Sequence, residues 1–284
     1  MSKTILITGS GSGYGKLIAK ALSEEGHGVI ATMEITDDKS REAADELRST
    51  PNIEVINIDL NSEKSIAENV GKIIHKYGAI DILVNDAEVA SMGLLEANSI
   101  TQIKSIFDIG LFNVIRMIQA VLPDMRKNKS GTILNICCGP ALFSLPFLIP
   151  QTLSKIGIIA LSEGLQAELR HEGIDCFSVL VDGCLSESFN DNLVGADLPE
   201  VTETYEIASK KVLNKLKHSI YKLEPTEENR QRIVYDIINT FNMNNQTRMG
   251  QVIIDKNDDP IVRELLERRI ELKNKWLEQI GMEI

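Results

Sequence analysis

The 284-residue chain is sparing in several respects, and each scarcity excludes something. It has four cysteines, Cys137, Cys138, Cys176 and Cys184, none at metal-ligand spacing. A chain of this size needs no disulfide staples, so so few thiols point to a reducing, cytoplasmic setting. Cys137 and Cys138 are neighbours in the chain, which makes a disulfide between them strained. There is no basic block: 30 Lys and Arg stand against 41 Asp and Glu, a net charge of −11. That balance argues against nucleic acid and against an anionic membrane. No apolar run reaches membrane-spanning length; the most apolar, Ala141 to Pro150, is interrupted by Pro146 and Pro150. The early apolar stretch Ile5-Leu6-Ile7 is too short for a signal peptide. Repeats and low-complexity segments are also missing.

What is present is ordinary for a globular protein: 25% charged and 43% hydrophobic residues, enough for one large α/β domain or two small ones. Short apolar runs alternate with segments of helical periodicity. Ile5–Ile7, Gly28–Met33, Ile53–Ile58, Ile80–Val84, Gly131–Cys137, Phe177–Val181 and Val252–Ile254 read as strands. Between them, Asp38–Arg48 is rich in helix formers, and Ile66, Val70, Ile73, Ile74 and Tyr77 share one helical face. A long helix through Ile103, Ile106, Phe107, Leu111, Val114, Ile118 and Leu122 is expected to stop near Pro123, and Lys155–Leu169 to form another. This order predicts a doubly wound parallel sheet of about seven strands with right-handed crossovers, in one domain over residues 1–284. A polar insertion over 186–245, with helices at Tyr205–Lys217 and Glu227–Asn239, reads as a lid or substrate loop. A C-terminal helix spans 259–280 and carries Ile261, Leu265, Leu272, Trp276 and Ile280 on one side.

The segment with the most chemistry is Thr8-Gly9-Ser10-Gly11-Ser12-Gly13-Tyr14-Gly15. It joins the first strand to a helix. Glycines let the backbone approach a phosphate closely, and the helix N-terminus offers N–H donors and the positive end of a dipole.

Taken with Asp59-Leu60, Asn85-x-Ala87, the Lys155 helix and Gly183, this loop resembles the short-chain dehydrogenase/reductase family over nearly the whole chain. The resemblance implies a Rossmann-like fold and a bound NAD or NADP. It places Gly9, Ser12, Gly13, Tyr14 and Gly15 at the pyrophosphate, although Tyr14 stands where the family has an apolar residue. It places Asp59 and Leu60 at the adenine, Asn85 and Ala87 at the end of the fourth strand, Gly183 and Ser186 by the carboxamide, and Lys155 on the ribose. Glu34 falls where NADP-using relatives carry an arginine, so the resemblance favours NAD. Three substitutions add acid or bulk: Asp86 for an asparagine, Glu88 for a glycine and Asp182 for a proline.

The catalytic set implied by the family is Asn, Ser, Tyr and Lys, and the Tyr-x-x-x-Lys element falls on Gln151-Thr152-Leu153-Ser154-Lys155. Gln151 therefore replaces the tyrosine, Cys138 the serine and Gly110 the asparagine, with only Lys155 retained. Asn113, one turn later, would substitute only if the backbone shifted. An amide does not titrate near neutral pH, and losing a general acid costs about 10²–10⁴ in rate. The leading expectation is a catalytically impaired protein, a sensor or scaffold that keeps the dinucleotide loop. An alternative is an active oxidoreductase with a relocated donor, Tyr205, Tyr221 or His218, acting on a small-molecule substrate. A further one uses Cys138 as a nucleophile beside Lys155. The helices Ile103–Leu122 and Lys155–Leu169 are where relatives pair, so a homodimer or homotetramer is expected.

Overall fold

The computed structural model describes residues 2–86, 90–138, 144–181, 193–221, 226–243, 250–254 and 260–280. Its elements are β1 (Thr4–Ile7), α1 (Gly13–Glu24), β2 (Gly28–Met33), α2 (Asp38–Arg48), β3 (Ile53–Asn57), α3 (Glu63–Tyr77), β4 (Ile82–Asn85), β5 (Ala90–Met92), α4 (Ile100–Phe107), α5 (Asn113–Asn128), β6 (Gly131–Cys138), α6 (Ile149–Leu169), β7 (Ile174–Val181), β8 (Leu193–Gly195), α7 (Pro199–Thr204), α8 (Ile207–Tyr221), α9 (Glu227–Asn239), β9 (Gln251–Ile254) and α10 (Pro260–Gln279).

A seven-stranded, wholly parallel sheet runs in the order β3-β2-β1-β4-β6-β7-β9. This is the doubly wound sheet expected from the alternation of strands and helices. Its strands are apolar on both faces, because helices cover both. Ile5, Ile7, Val29, Val84, Leu134, Phe177 and Val179 face α1, α2 and α9; Leu6, Ile30, Leu83, Ile133, Cys176 and Leu180 face α3, α5 and α6. Each fully buried side chain of this size is worth roughly 1.5–3 kcal/mol. A separate parallel pair, β5 with β8, lies outside the main sheet. The winding reverses between β1 and β4, which opens a crevice beyond their carboxyl ends.

Several elements differ from the sequence expectations. Pro123 lies inside α5, which continues to Asn128. Proline removes the bond to the carbonyl four residues earlier, at Gln119; both residues are on the solvent side, where water can satisfy that carbonyl. The run Ile100–Asn128, across α4, a π-helical turn and α5, is long and apolar enough to cross a membrane by length and composition. One side of it, Ile106, Val114, Met117, Ile118, Val121 and Met125, is buried in the domain, which accounts for its hydropathy. β7 starts at Ile174, three residues before the expected Phe177, and α6 starts at Ile149 with Pro150 in its first turn.

The polar stretch over 186–245 divides into two kinds of helix. α9 packs on the α1 side of the sheet, with Ile233, Val234, Ile237 and Ile238 in the core, so it belongs to the body of the domain and not to a lid. α8 lies against β5 and the approach to α6, where Leu213 and Leu216 pack on Ala90, Met92, Phe147 and Leu148. α10 is tied to α6 through Glu163, which receives Arg269 at 3.0 Å, Lys273 at 3.7 Å and the Gln251 amide at 2.5 Å.

Candidate active site

The loop between β1 and α1 is shaped by its glycines. Gly9 has φ 69° and Gly13 φ 56°, left-handed values that favour glycine. At Gly15 the constraint is space: a Cβ would lie 2.8 Å from the Gly9 carbonyl oxygen and 3.0 Å from Asp86 Oδ2. Ser12 is the N-cap of α1, but its side chain makes no capping bond. The N–H groups of Gly11 and Gly13 donate to no acceptor among the described residues. A cradle whose Gly15 leaves no room for a Cβ, with open N–H groups at a helix N-terminus, fits the pyrophosphate of a dinucleotide. Tyr14 is buried and packs in the core beside Ile18 and Leu22, so its side chain braces the loop from below.

The rim of the crevice is acidic. Glu34 follows β2 directly and is exposed; Asp59 is exposed beyond β3, where its Oδ1 accepts from the Asn61 N–H at 2.9 Å. Leu60 is half-buried against the core. After β4, the Asp86 N–H donates to Thr8 Oγ1 at 3.1 Å and its Oδ2 accepts from the Gly15 N–H at 2.5 Å. Ala87, Glu88, Asp182, Gly183 and Ser186 lie outside the described residues, as does the side chain of Cys138 at the end of β6.

Beneath the crevice runs a buried polar line that spacing arguments did not reveal. Asn85 Nδ2 donates to Asn135 Oδ1 at 2.8 Å, Asn135 Nδ2 to Ser162 Oγ at 2.9 Å, and Ser162 Oγ to the Ile158 carbonyl at 2.8 Å. Asn85 Oδ1 is buried with no hydrogen-bond partner among the described residues. The available signal was Asn135 itself, a lone amide in the apolar strand Thr-Ile-Leu-Asn-Ile-Cys.

α6 carries Gln151 and Lys155 one turn apart on its inner side, and both are buried, at 8% and 5% exposure. Gln151 Oε1 accepts from the Ser91 N–H of β5 at 2.9 Å. That bond fixes the carboxamide orientation, since a backbone N–H requires the oxygen. Gly110 sits in the π-helical turn Asp108–Phe112 between α4 and α5. A Cβ there would lie 2.8 Å from Ser154 Oγ, which itself donates to the Gln151 carbonyl at 2.8 Å. Asn113 is engaged on both sides of its amide: Arg116 donates to its Oδ1 at 2.6 Å, and its Nδ2 reaches Asn61 Oδ1 at 3.4 Å.

Of the candidate relocated donors, Tyr205 and His218 have described side chains. Tyr205 donates to Glu96 Oε2 at 2.6 Å, and that bond pushes its phenol above the ordinary tyrosine range. His218 is exposed on α8, and the Tyr221 side chain lies outside the described residues. Among the described residues no group of three or more His, Cys, Asp or Glu is arranged to hold a metal.

Comparison with known proteins agrees with this architecture. Residues 3–192 match the family model for short chain dehydrogenase. The chain is 30% identical over 201 residues to the 3-ketodihydrosphingosine reductase of Bacteroides thetaiotaomicron, covering 71% of each chain. It is 30% identical over 203 residues to human 17-beta-hydroxysteroid dehydrogenase type 1, covering 69% of this chain and 61% of that one. Its fold is similar to a short-chain dehydrogenase from Streptomyces avermitilis, with TM-score 0.77 and 22% identity over 99% of this chain and 98% of the other. A gluconate 5-dehydrogenase from Burkholderia cenocepacia, solved with NADP and tartrate, is 25% identical with TM-score 0.59 over 64% of this chain and 72% of that one. Sheet order, glycine cradle and these likenesses together make the chain a member of the short-chain dehydrogenase/reductase family.

Proposed function

We propose that this protein binds a nicotinamide dinucleotide at the Gly9–Gly15 cradle and has lost the family's proton-transfer chemistry, acting as a dinucleotide-dependent sensor or scaffold. The observation that carries this reading is Gln151: a buried amide whose oxygen is committed to the Ser91 N–H stands where the family resemblance puts a titratable phenol. When bound, the nicotinamide supplies the hydride site; the protein must supply the accompanying proton. Gln151 has none to give near neutral pH. Gly110 offers no side chain, and Ser154 occupies the space an asparagine Cβ would need. Lys155 is retained and buried, with an amine suited to ribose hydroxyls.

Glu34, exposed at the end of β2, is placed to accept from ribose hydroxyls and to repel a 2′-phosphate, so NAD is the favoured cofactor. Leu145, Phe147 and Leu148 with Leu213 and Leu216 make the substrate side apolar, which favours a hydrophobic small molecule there. Phe112, Leu153 and Ile156 are exposed on α5's approach and on α6, and support a homodimer or homotetramer through these helices in a cytoplasmic setting.

The test compares the wild-type protein with a variant carrying Gln151→Tyr, Cys138→Ser, Gly110→Asn and Ser154→Ala. Both are screened with NAD, NADP and the reduced forms against alcohols, ketones and steroids. The expected result is no turnover by the wild type and measurable turnover by the variant. Robust wild-type turnover would overturn the reading.

A further inference from the structure

Asp86 is the one described carboxylate bonded to the glycine cradle. Its Oδ2 lies 2.5 Å from the N–H of Gly15, the third residue of α1. Its own N–H is held by Thr8 Oγ1 at 3.1 Å. The residue is thus fixed at both ends, by two parts of the loop it faces. Gly15 is the partner that leaves it room: a Cβ there would come to 3.0 Å of Oδ2. Two residues earlier, the N–H of Gly13 is open, as is that of Gly11.

We propose that Asp86 is an internal anion sharing the α1 N-terminus with the cofactor pyrophosphate, and that its charge sets the protein's dinucleotide affinity low. The inference rests on the reading that the cradle holds a dinucleotide. A helix N-terminus stabilises negative charge, but its field is confined to the first turn. Gly13 and Gly15 are separated by about 3 Å of helix rise. Two anions drawn to these donors therefore lie well inside the screening length of about 10 Å at 0.1 M salt. The carboxylate is already bonded, so a pyrophosphate must bind beside it and meet its repulsion. An asparagine would accept the same Gly15 N–H without the charge. The consequence is a site that responds only when the dinucleotide is abundant, which suits a sensor of cofactor level better than an enzyme that must stay loaded.

The test is Asp86→Asn in the full chain, titrated calorimetrically with NADH and with ADP. ADP carries the pyrophosphate without the nicotinamide, so it isolates the cradle. The expected result is tighter binding of both ligands, about tenfold or more at low salt, with the gain shrinking as salt is raised. Equal affinities for wild type and variant, with both proteins folded by thermal melting, would overturn the role of Asp86 and leave dinucleotide binding standing. Binding by neither protein would overturn the dinucleotide reading itself and this inference with it. Should Asp86→Asn fail to fold, Asp86→Ser, which also removes the charge, carries the same expectation.

Discussion

Restoring an asparagine at position 110 should cost stability, and Ser154 should be the reason. An ideal Cβ at Gly110 falls 2.8 Å from Ser154 Oγ and 3.3 Å from Ser154 Cβ, and Gly110 is buried in the π-helical turn. Overpacking of this kind costs about 1–3 kcal/mol. Against it stands the entropy recovered when a glycine leaves a helix interior, roughly 0.5–1 kcal/mol. Gly110→Asn is thus expected to destabilise by about 0.5–2 kcal/mol. Ser154→Ala alone loses a hydrogen bond to the Gln151 carbonyl one turn back, worth about 1 kcal/mol. In the double variant the approach to Oγ is gone and only the one to Cβ stays, so the combined loss should fall short of the sum of the single losses by roughly 1–2 kcal/mol, above the 0.3–0.5 kcal/mol expected for independent sites. Urea denaturation of the four proteins closes the cycle. A Gly110→Asn variant more stable than wild type, or additive losses, would refute the argument that Ser154 fills the space a side chain at position 110 would need. The cycle also explains why the activity-restoring variant includes Ser154→Ala.

Other outcomes follow from the same geometry. Gly15→Ala should destabilise by about 1–3 kcal/mol and abolish dinucleotide binding, because its Cβ meets the Gly9 carbonyl, which is backbone and has no rotamer to yield; thermal melting and calorimetry check both effects. Glu34→Gln should raise affinity for NADP relative to NAD by roughly three- to tenfold, the size of an exposed like-charge repulsion after screening; parallel titrations would show it, and an unchanged ratio would exclude a 2′-phosphate near Glu34. Cys176 should resist alkylation in the native protein up to strongly alkaline pH, since burial pushes its thiol far above the ordinary range and Asp175 adds to the shift. Its labelling should appear only with unfolding, which mass spectrometry of pulse-labelled protein will detect. Half-buried Glu54, hydrogen-bonded by Lys76 and Tyr77, is held below the usual carboxylate range. A depressed acid contributes its stability above its unfolded pKa and loses it as pH falls through the folded one. Glu54→Gln should therefore flatten the acid limb of the melting profile and leave a small deficit at neutral pH.

The sheet was legible in the sequence because each strand is a short apolar run between turn signals, and the glycine loop announced its own conformation. Helix packing was less legible. Glu227–Asn239 looks polar as a string, yet Ile233, Val234, Ile237 and Ile238 form a narrow stripe that enters the core against α1. Reading the segment by its overall polarity missed that stripe. Pro123 misled for the opposite reason: a local rule about proline gave way to solvent that could satisfy the freed carbonyl. Gln151 and Gly110 could be singled out as residue types, but their partners could not. Gln151 with Ser91 and Gly110 with Ser154 are contacts between residues 60 and 44 positions apart, and no local pattern encodes them. The placement of Asp86 on Gly15 belongs to the same class, since it depends on how β1 and β4 align.

The pairing of β7 with β9 has a kinetic consequence. The first half of the sheet, β3-β2-β1-β4, is assembled from the first 85 residues and can form early. β9 meets β7 only after the chain has run from Val181 to Gln251, where Ser178 pairs with Gln251 and the Ser178 N–H donates to the Gly250 carbonyl at 2.9 Å. Closing so long an excursion is entropically slow, so this ladder should be among the last to form. Until it does, β7, buried along its whole length in the finished protein, presents a bare apolar edge. During synthesis and refolding that edge is the chain's principal opportunity for pairing with the wrong molecule.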